Sequence, residues 1–289
     1  MSRSIKGMIK LNSFADIVSG DDTAVTEVPL EDLHDFEGHP FRVVDDEKMA
    51  ETVQSIKEHG VLMPGLVRPR VEGGYEIISG HRRRHACELA GLETMPVLIK
   101  AYDDDQATII MVDSNIQRED ILPSEKAKAY KMKYEALKHQ GSGSGGYTLD
   151  AIGEDAGENR KTVQRYIWLS RLSDGLFELL DNKRLQLFAG VEISFLQKKE
   201  MDWIEEMITQ KNAAVSAAQA TTIKGYSQKR ELTKALLERI LFEEKKKPRR
   251  FMMKADRLSQ YFDDDCTDEE IEETIIRLLD EWKKKGGSD

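Results

Sequence analysis

The hydrophobic period of this chain changes once, and that change limits the folds open to it. Up to about residue 99, short apolar runs alternate or sit between glycine turns. From Asp103 onward, apolar residues recur every three to four positions. A chain laid out this way is expected to be α+β: a small α/β unit first, then an all-helical remainder. The spacing of Met49, Val53 and Ile56 predicts a helix over 47–59 with Gly60 as its stop. Alternation over 66–71 and 75–78 around Gly73-Gly74 predicts a β-hairpin. Residues 81–90 read as a helix closed by Gly91, and 97–99 as a further short strand. Later helices are expected over 105–114, 124–139, 149–156, 159–172, 175–182, 192–209, 227–243 and 267–285. Residues 1–25 show no period and read as a flexible arm. The run Gly141-Ser-Gly-Ser-Gly-Gly146 reads as a loop or linker.

Length and composition bound the function. The chain has 289 residues, 33% charged and 39% hydrophobic, with a mean hydropathy of −0.54. No apolar run approaches the roughly 18 residues a spanning helix needs. The first twenty residues lack a secretory apolar region, so a cytoplasmic protein is expected. Cys87 and Cys266 are far apart, with no metal-type spacing, and are expected to be reduced thiols. The net charge of −10 argues against a nucleic-acid partner until its distribution is considered. Acid gathers near the end, from Asp263 to Glu273. Base gathers at Arg82-Arg83-Arg84, at Arg160, Lys161 and Arg165, and at Lys245 to Arg250. A local basic surface binds a polyanion whatever the sum.

Three segments carry candidate chemistry. In Ile77-Ile78-Ser79-Gly80-His81-Arg82-Arg83-Arg84, a strand runs into a glycine that opens a helix. The unpaired N–H groups and positive dipole there, with guanidinium forks beside them, suit a phosphate chain. A solvated basic helix face is the plainer reading. In Asp113-Ser114-Asn115-Ile116-Gln117-Arg118-Glu119-Asp120, Asn115 offers an amide oxygen for a metal and Arg118 a fork. A helix cap with surface ion pairs is the alternative.

The third segment, 147–167, has the form of a helix-turn-helix. Thr148 is a candidate cap. Leu149, Ile152 and Ala156 make one apolar face, and Gly157 sits at the turn. Asn159 can cap the second helix, with Val163, Tyr166 and Ile167 buried. That leaves Arg160, Lys161, Thr162, Gln164 and Arg165 outward, the types that read base edges and grip phosphates. An ordinary helical hairpin with a charged face is the competing reading.

In order, these motifs resemble the ParB/RepB group of partition proteins over roughly residues 25–190. Gly60-Val61-Leu62-Met63-Pro64-Gly65-Leu66-Val67-Arg68 resembles the family's Gly…Pro…Val-Arg segment near the cytosine. Gly80 to Ala86 resembles its Gly-Glu-Arg-Arg-x-Arg-Ala phosphate motif. Ser114 to Tyr130 resembles its Glu-Asn-x-Gln-Arg-Glu-Asp-Leu segment and the helix after it. The resemblance implies a CTP-dependent DNA clamp in plasmid or chromosome segregation. It implies Mg²⁺, a palindromic centromere-like duplex, a ParA-type ATPase met through Arg3, Lys6 and Lys10, and a homodimer. Pro64, Val67, Arg68, Gly80, His81, Arg82, Arg83, Asn115 and Arg118 are the implied nucleotide residues, with Asn115 also on the metal.

The sequence departs from the family pattern at His81 and Ser114, where the family carries glutamates, and at His39-Pro40-Phe41-Arg42. CTP hydrolysis is left open by these changes. The expected domains are the arm at 1–25, a ParB-like nucleotide-binding domain at 26–120, the helix-turn-helix domain at 121–225, and a helical region at 226–289. In that last region Ile271, Ile275, Leu278, Leu279 and Trp282 form a stripe suited to dimerisation or to packing within the chain. A transcriptional regulator of a mobile element built on these modules and a kinase-like nucleotide-dependent enzyme are the alternatives.

Overall fold

The alternating segments pair into one five-stranded sheet, as a period of two requires. The computed structural model describes residues 24–118, 120–141, 145–243, 261–263 and 266–285, without the side chains of 145–147. The expected arm bases Arg3, Lys6 and Lys10, the cluster 245–250 and residues 142–144 of the Gly-Ser run lie outside these residues. Strands β1 (Val25–Pro29), β2 (Leu33–His34), β3 (Gly65–Pro69), β4 (Tyr75–Ser79) and β5 (Thr94–Ile99) run in the order β1-β5-β3-β4-β2. The expected hairpin is β3 against β4, with Val67 opposite Ile77. β5 lies parallel to β3 and antiparallel to β1. The edge strand β1 ends at Pro29, where the missing N–H costs no ladder bond.

The sheet is buried on both faces, and the side-chain alternation divides it between two cores. Val67, Ile77 and Val97 pack with α1 (Glu47–His59) and α2 (His81–Ala90) through Met49, Ile56, Ala86 and Cys87. Their neighbours Leu66, Ile78 and Leu98 face the other way. They join a core with α3 (Asp104–Asp113), α4 (Pro123–His139), α5 (Gly145–Ala156) and α6 (Arg160–Leu169). One hydrophobic core thus runs from the sheet into the helix-turn-helix. A third core holds α7 (Asp174–Asp181), α8 (Leu187–Ile193), α9 (Lys198–Gln210), α10 (Ala217–Gln228) and α11 (Lys234–Phe242). This compact unit ends at Glu243, and a second begins at Glu244.

The second unit contains α12 (Asp268–Lys284), capped by Thr267, whose side chain accepts from the Glu270 N–H. Ile276, Leu278, Leu279 and Trp282 on it are all more than half exposed. Among the described residues no helix is long and apolar enough to cross a membrane. Cys87 is a buried thiol and Cys266 an exposed one.

Several segments differ from expectation. The helix expected over 192–209 is interrupted: α8 stops at Ile193, the Ser194 hydroxyl donates to Val191 O at 2.7 Å, and Leu196 buries in the break before α9. The helix expected over 227–243 begins only at Lys234, because Arg230 adopts φ +60° and Thr233 caps the new start. The preceding helix α10 had no legible stripe, since its buried face is Ala220, Ile223 and Ser227. Helix α5 starts at Gly145, so Thr148 lies inside it, fully buried, rather than capping it.

A buried ammonium fastens the sheet half to the helical half. Lys133 on α4 is 2% exposed and pairs with Asp113 at the end of α3 and with Asp155 of α5, the latter at 2.7 Å. Burial pushes the Asp113 carboxyl above its ordinary range, against the pull of Lys133. A buried lysine without its carboxylates would be strongly unfavourable, so the three helices are fixed together. Lys133→Ala, which strands Asp113 in that environment, is expected to destabilise the fold by about 3 kcal/mol. Urea unfolding of the full chain checks this, and a change below about 1 kcal/mol would show that the pair is not holding the helices.

Candidate functional site

Two glycines and an arginine build the floor of the site. Gly80 adopts φ +120° at the start of α2, a conformation open to glycine. A Cβ there would lie 3.2 Å from the Gly65 Cα and 3.3 Å from Arg83 Nη2, so β3 and the α2 entry touch backbone to backbone. Arg83 turns back and donates through Nη1 to the carbonyls of Met63 at 2.5 Å and Pro64 at 2.7 Å. It therefore clamps the 60–64 loop onto the N-terminus of α2.

Two clefts open beside this clamp and share Lys48 and Thr52 of α1. The first, of about 480 Å³, is lined by Gly60, Val61, Leu62, Met63, Ile56 and Arg83 among others. Leu62 and Met63 are exposed apolar side chains on its rim. The second, of about 570 Å³, is lined by Arg42, Lys48, Arg82 and Arg118 against Asp46, Asp120 and Glu125. Together they offer an apolar end and a cationic end along one helix, the polarity of a base joined to a phosphate chain.

Three of the four cations lining the second cleft are held in place by ion pairs. Arg82 donates to Asp46 at 3.1 Å, and that hydrogen bond keeps the Asp46 carboxyl below its ordinary range. Lys48 pairs with Asp120 and lowers it in the same way. The Arg42 side chain reaches Asp181 of α7 at 2.9 Å, and its N–H donates to the buried Glu125 at 2.8 Å. Arg118 has no carboxylate partner among the described residues and donates to Asn115 Oδ1 at 3.4 Å.

His81 faces inward. Its ring stacks on His39 at 3.8 Å between centroids, and the Phe36 N–H donates to Nε2 at 3.4 Å. Burial, then the neighbouring His39 and Arg84, push its pKa down to about 3. Burial lowers His39 likewise, and the His39 Nε2 has no partner. The ring is thus a neutral packing piece beneath the helix start.

For a divalent cation this chain supplies little. Asn115 donates through Nδ2 to Met111 O at 2.9 Å, which leaves Oδ1 facing Arg118. Ser114 is turned to Met111 O, and Asp113 is taken by Lys133. Among the described residues no three His, Cys, Asp or Glu side chains cluster in a metal-binding arrangement. One amide oxygen fits Mg²⁺ only where phosphate oxygens and water complete the six positions.

The helix-turn-helix forms as its residues dictate. Gly157 takes φ +67° at the turn, and a Cβ on Gly153 would lie 2.4 Å from the Glu158 carbonyl, so the two helices meet closely there. Asn159 caps α6, accepting from the Thr162 N–H at 3.0 Å. Val163 and Ile167 are buried, and Tyr166 packs edge-on against Tyr130 at 5.8 Å. Glu158 is held by Lys126 and by the Tyr130 hydroxyl at 3.0 Å. Arg160 and Lys161 are exposed without ion-pair partners among the described residues, and Gln164 is partly exposed beside them.

Comparison with known proteins fits this geometry to a family. Residues 15–116 match the ParB N-terminal domain. The probable chromosome 1-partitioning protein ParB of Deinococcus radiodurans is 35% identical over 204 residues, 70% of this chain and 67% of that one. The chain belongs to the ParB family. The stage 0 sporulation protein J of Bacillus subtilis is 30% identical over 195 residues, 67% of this chain and 66% of its own length. The chain therefore spans about two thirds of the length of these two relatives. A C-terminally truncated ParB from Caulobacter crescentus, in a structure with the centromeric parS site, is 24% identical and covers 71% of this chain and 99% of that one, with a TM-score of 0.41.

On this ParB scaffold the expected nucleotide residues separate into groups. Arg82 and Arg118 line the cationic cleft, and Arg83 lines the apolar one. Gly80 and Pro64 shape the floor through backbone contacts. Asn115 adjoins Arg118. Val67, in contrast, is fully buried in the sheet core. Arg68 pairs with Glu76 and Asp104, both at 2.6 Å, under Phe36. Neither lines a cleft. Of the expected DNA residues, Thr162 commits its hydroxyl to the Asn159 cap at 3.2 Å, whereas Arg160, Lys161, Gln164 and Arg165 lie along the open side of α6. Sequence reasoning missed Lys48 and did not assign Arg42 to the cleft. Only Arg42 had a signal, as the base ending the shortened 39–42 pattern.

The buried His81 carries a pH signature. An unfolded chain protonates this ring below about pH 6.5, whereas the folded one resists until about pH 3. Its contribution to stability is complete above pH 6.5 and is lost as pH falls through that window, by up to about 1.4 kcal/mol per unit. The stability gap between the wild-type chain and His81→Gln is expected to narrow between pH 7 and 5. Denaturant unfolding at the two pH values measures it, and a pH-independent gap would contradict a neutral buried ring.

Proposed function

We propose that this chain is a sequence-specific DNA-binding partition protein whose grip on DNA is controlled by CTP with Mg²⁺. The carrying observation is that one compact unit holds both the cation-lined cleft at the start of α2 and the open basic side of α6, joined by a common core. Arg82, Arg118 and Lys48 would take the phosphate chain, and the 60–64 loop held by Arg83 would flank the base. Asn115 would supply its one oxygen to the metal. The cytidine choice rests on the likeness of 60–68 and 80–86 to the family motifs. Arg160, Lys161, Gln164 and Arg165 would meet one half of a palindromic duplex, with Thr162 holding the helix start. The relatives named above bear partition and sporulation names, which supports a segregation role beside a ParA-type ATPase. The exposed apolar face of α12 supports a homodimer. A cytoplasmic, nucleoid-associated location goes with that role.

In this reading the nucleotide is held more than it is turned over. The three described carboxylates lining the cationic cleft are each engaged: Asp46 by Arg82, Asp120 by Lys48 and Glu125 by backbone N–H groups. None of these three stands free to orient a water for attack on the terminal phosphate.

Equilibrium binding of labelled CTP, ATP, GTP and UTP, with and without Mg²⁺, tests the cleft. CTP is expected to bind selectively. Arg82→Ala is expected to remove nucleotide binding and leave DNA affinity within about twofold; preference for ATP, or joint loss of both ligands, would overturn the reading. Arg160→Ala is expected to weaken the preferred duplex by about 1–3 kcal/mol if it reads a base. An equal loss on a shuffled duplex would make it a phosphate contact instead.

A further inference from the structure

A large aromatic side chain lies exposed beside α6 without a packing role to explain it. Phe188, on the first turn of α8, is 56% exposed, while Ala189, Val191 and Ile193 of the same helix are buried. The Arg165 guanidinium lies 4.9 Å from the Phe188 ring centre. Arg165 makes no ion pair among the described residues, so the ring is its observed partner. The contrast with Phe195 is instructive. That ring also meets cations, Arg171 at 5.4 Å and Lys224 at 4.0 Å, but it is packed edge-on against Trp168 at 5.2 Å and is part of the core's edge.

The helix that carries the ring is set against α6 at close range. A Cβ on Gly190 would lie 3.0 Å from Leu169 Cδ2, 3.6 Å from Leu172 Cδ1 and 3.7 Å from Leu180 Cδ1, so α8 rests on the end of α6 and on α7. An arginine on a solvated helix face samples many rotamers and loses that freedom on binding. A guanidinium held over an aromatic ring has lost part of it beforehand, and its N–H groups can still meet a bidentate acceptor.

We propose that Phe188 is a positioning residue for DNA recognition. It holds the Arg165 guanidinium over its ring at the edge of α6 and so sets the direction from which Arg165 meets an acceptor pair on a base edge. The inference rests on the DNA-binding reading of α6. Its partner chemistry is the paired acceptors of guanine in a major groove, which a planar fork matches.

The test uses the full chain and a duplex enriched by the wild-type protein from a randomised pool, beside a shuffled duplex of equal length. Phe188→Leu, which keeps apolar bulk and removes the ring, is expected to weaken the enriched duplex about fivefold and leave the shuffled one within twofold. Phe188→Tyr is expected to restore wild-type affinity. The double variant with Arg165→Ala is expected to bind no worse than Arg165→Ala alone. Arg165→Lys, which leaves the ring untouched, should lose as much as Phe188→Leu. The inference is overturned by a Phe188→Leu loss under twofold, by equal losses on both duplexes, or by additive losses in the double variant, which would mean the ring touches DNA itself. Failure to enrich any sequence would instead overturn the DNA-binding reading.

Discussion

The ion triad around Lys133 is the constraint on which the arrangement of the first unit depends. A single ammonium, buried on α4, must be matched by carboxylates from α3 and α5. α3 is the last element built against the sheet, and α5 is the first helix of the helix-turn-helix. The bond geometry leaves little freedom to slide one against the other. Hydrophobic contacts in the same core are non-directional and would tolerate small shifts, whereas a charged pair in a partly dry setting loses several kcal/mol when separated. Gln117 adds a neutral tie across the same seam, donating to Asp155 O at 3.3 Å.

The clefts are shaped by a second set of charges that also reach across the unit. Arg42 lines the cationic cleft and pairs with Asp181 of α7, which itself accepts from the Ser124 hydroxyl at 2.5 Å and the Ser124 N–H at 3.0 Å. Lys48 of α1 spans to Asp120, just before α4. The cationic cleft at the start of α2 is therefore not electrically isolated from the helices that carry α6. Of the cations lining this cleft, Lys48 and Arg42 are paired with Asp120 and Asp181 on the helical side, and Arg82 with Asp46 at the start of α1. The Arg83 contacts to the Met63 and Pro64 carbonyls, by contrast, run to backbone groups.

Much of this architecture was legible in the sequence. Gly80, Gly91 and Gly157 marked the helix boundaries because positive φ at those points favours glycine. Asn159 and the spacing of Val163, Tyr166 and Ile167 marked the second helix of the turn. The failures have physical causes. Two long helices were expected where two breaks occur, since Leu196 continues the apolar pattern through a break and Arg230 carries positive φ without being glycine. α10 was missed because a buried face of alanine and serine leaves no stripe. Motif spacing also says nothing of burial: Val67 lies in the sheet core and Arg68 pairs with Glu76 and Asp104.

The sequence by itself determined what depends on neighbours along the chain: strand alternation, caps, turns, and which helix faces are apolar or basic. Those follow from periodicity and backbone sterics within a few residues. Only the tertiary structure decided which charges remain available. The Arg82-Arg83-Arg84 triplet looks uniform in sequence. In the fold, Arg82 lines the cationic cleft, Arg83 is a structural clamp, and Arg84 pairs with Glu88 at 2.9 Å and Asp35 at 3.7 Å. The same holds for His81, whose ring is neutral because His39 and the loop from Phe36 cover it. Burial and long-range partners set the free energy of each charged form, and neither is encoded within the span of a motif.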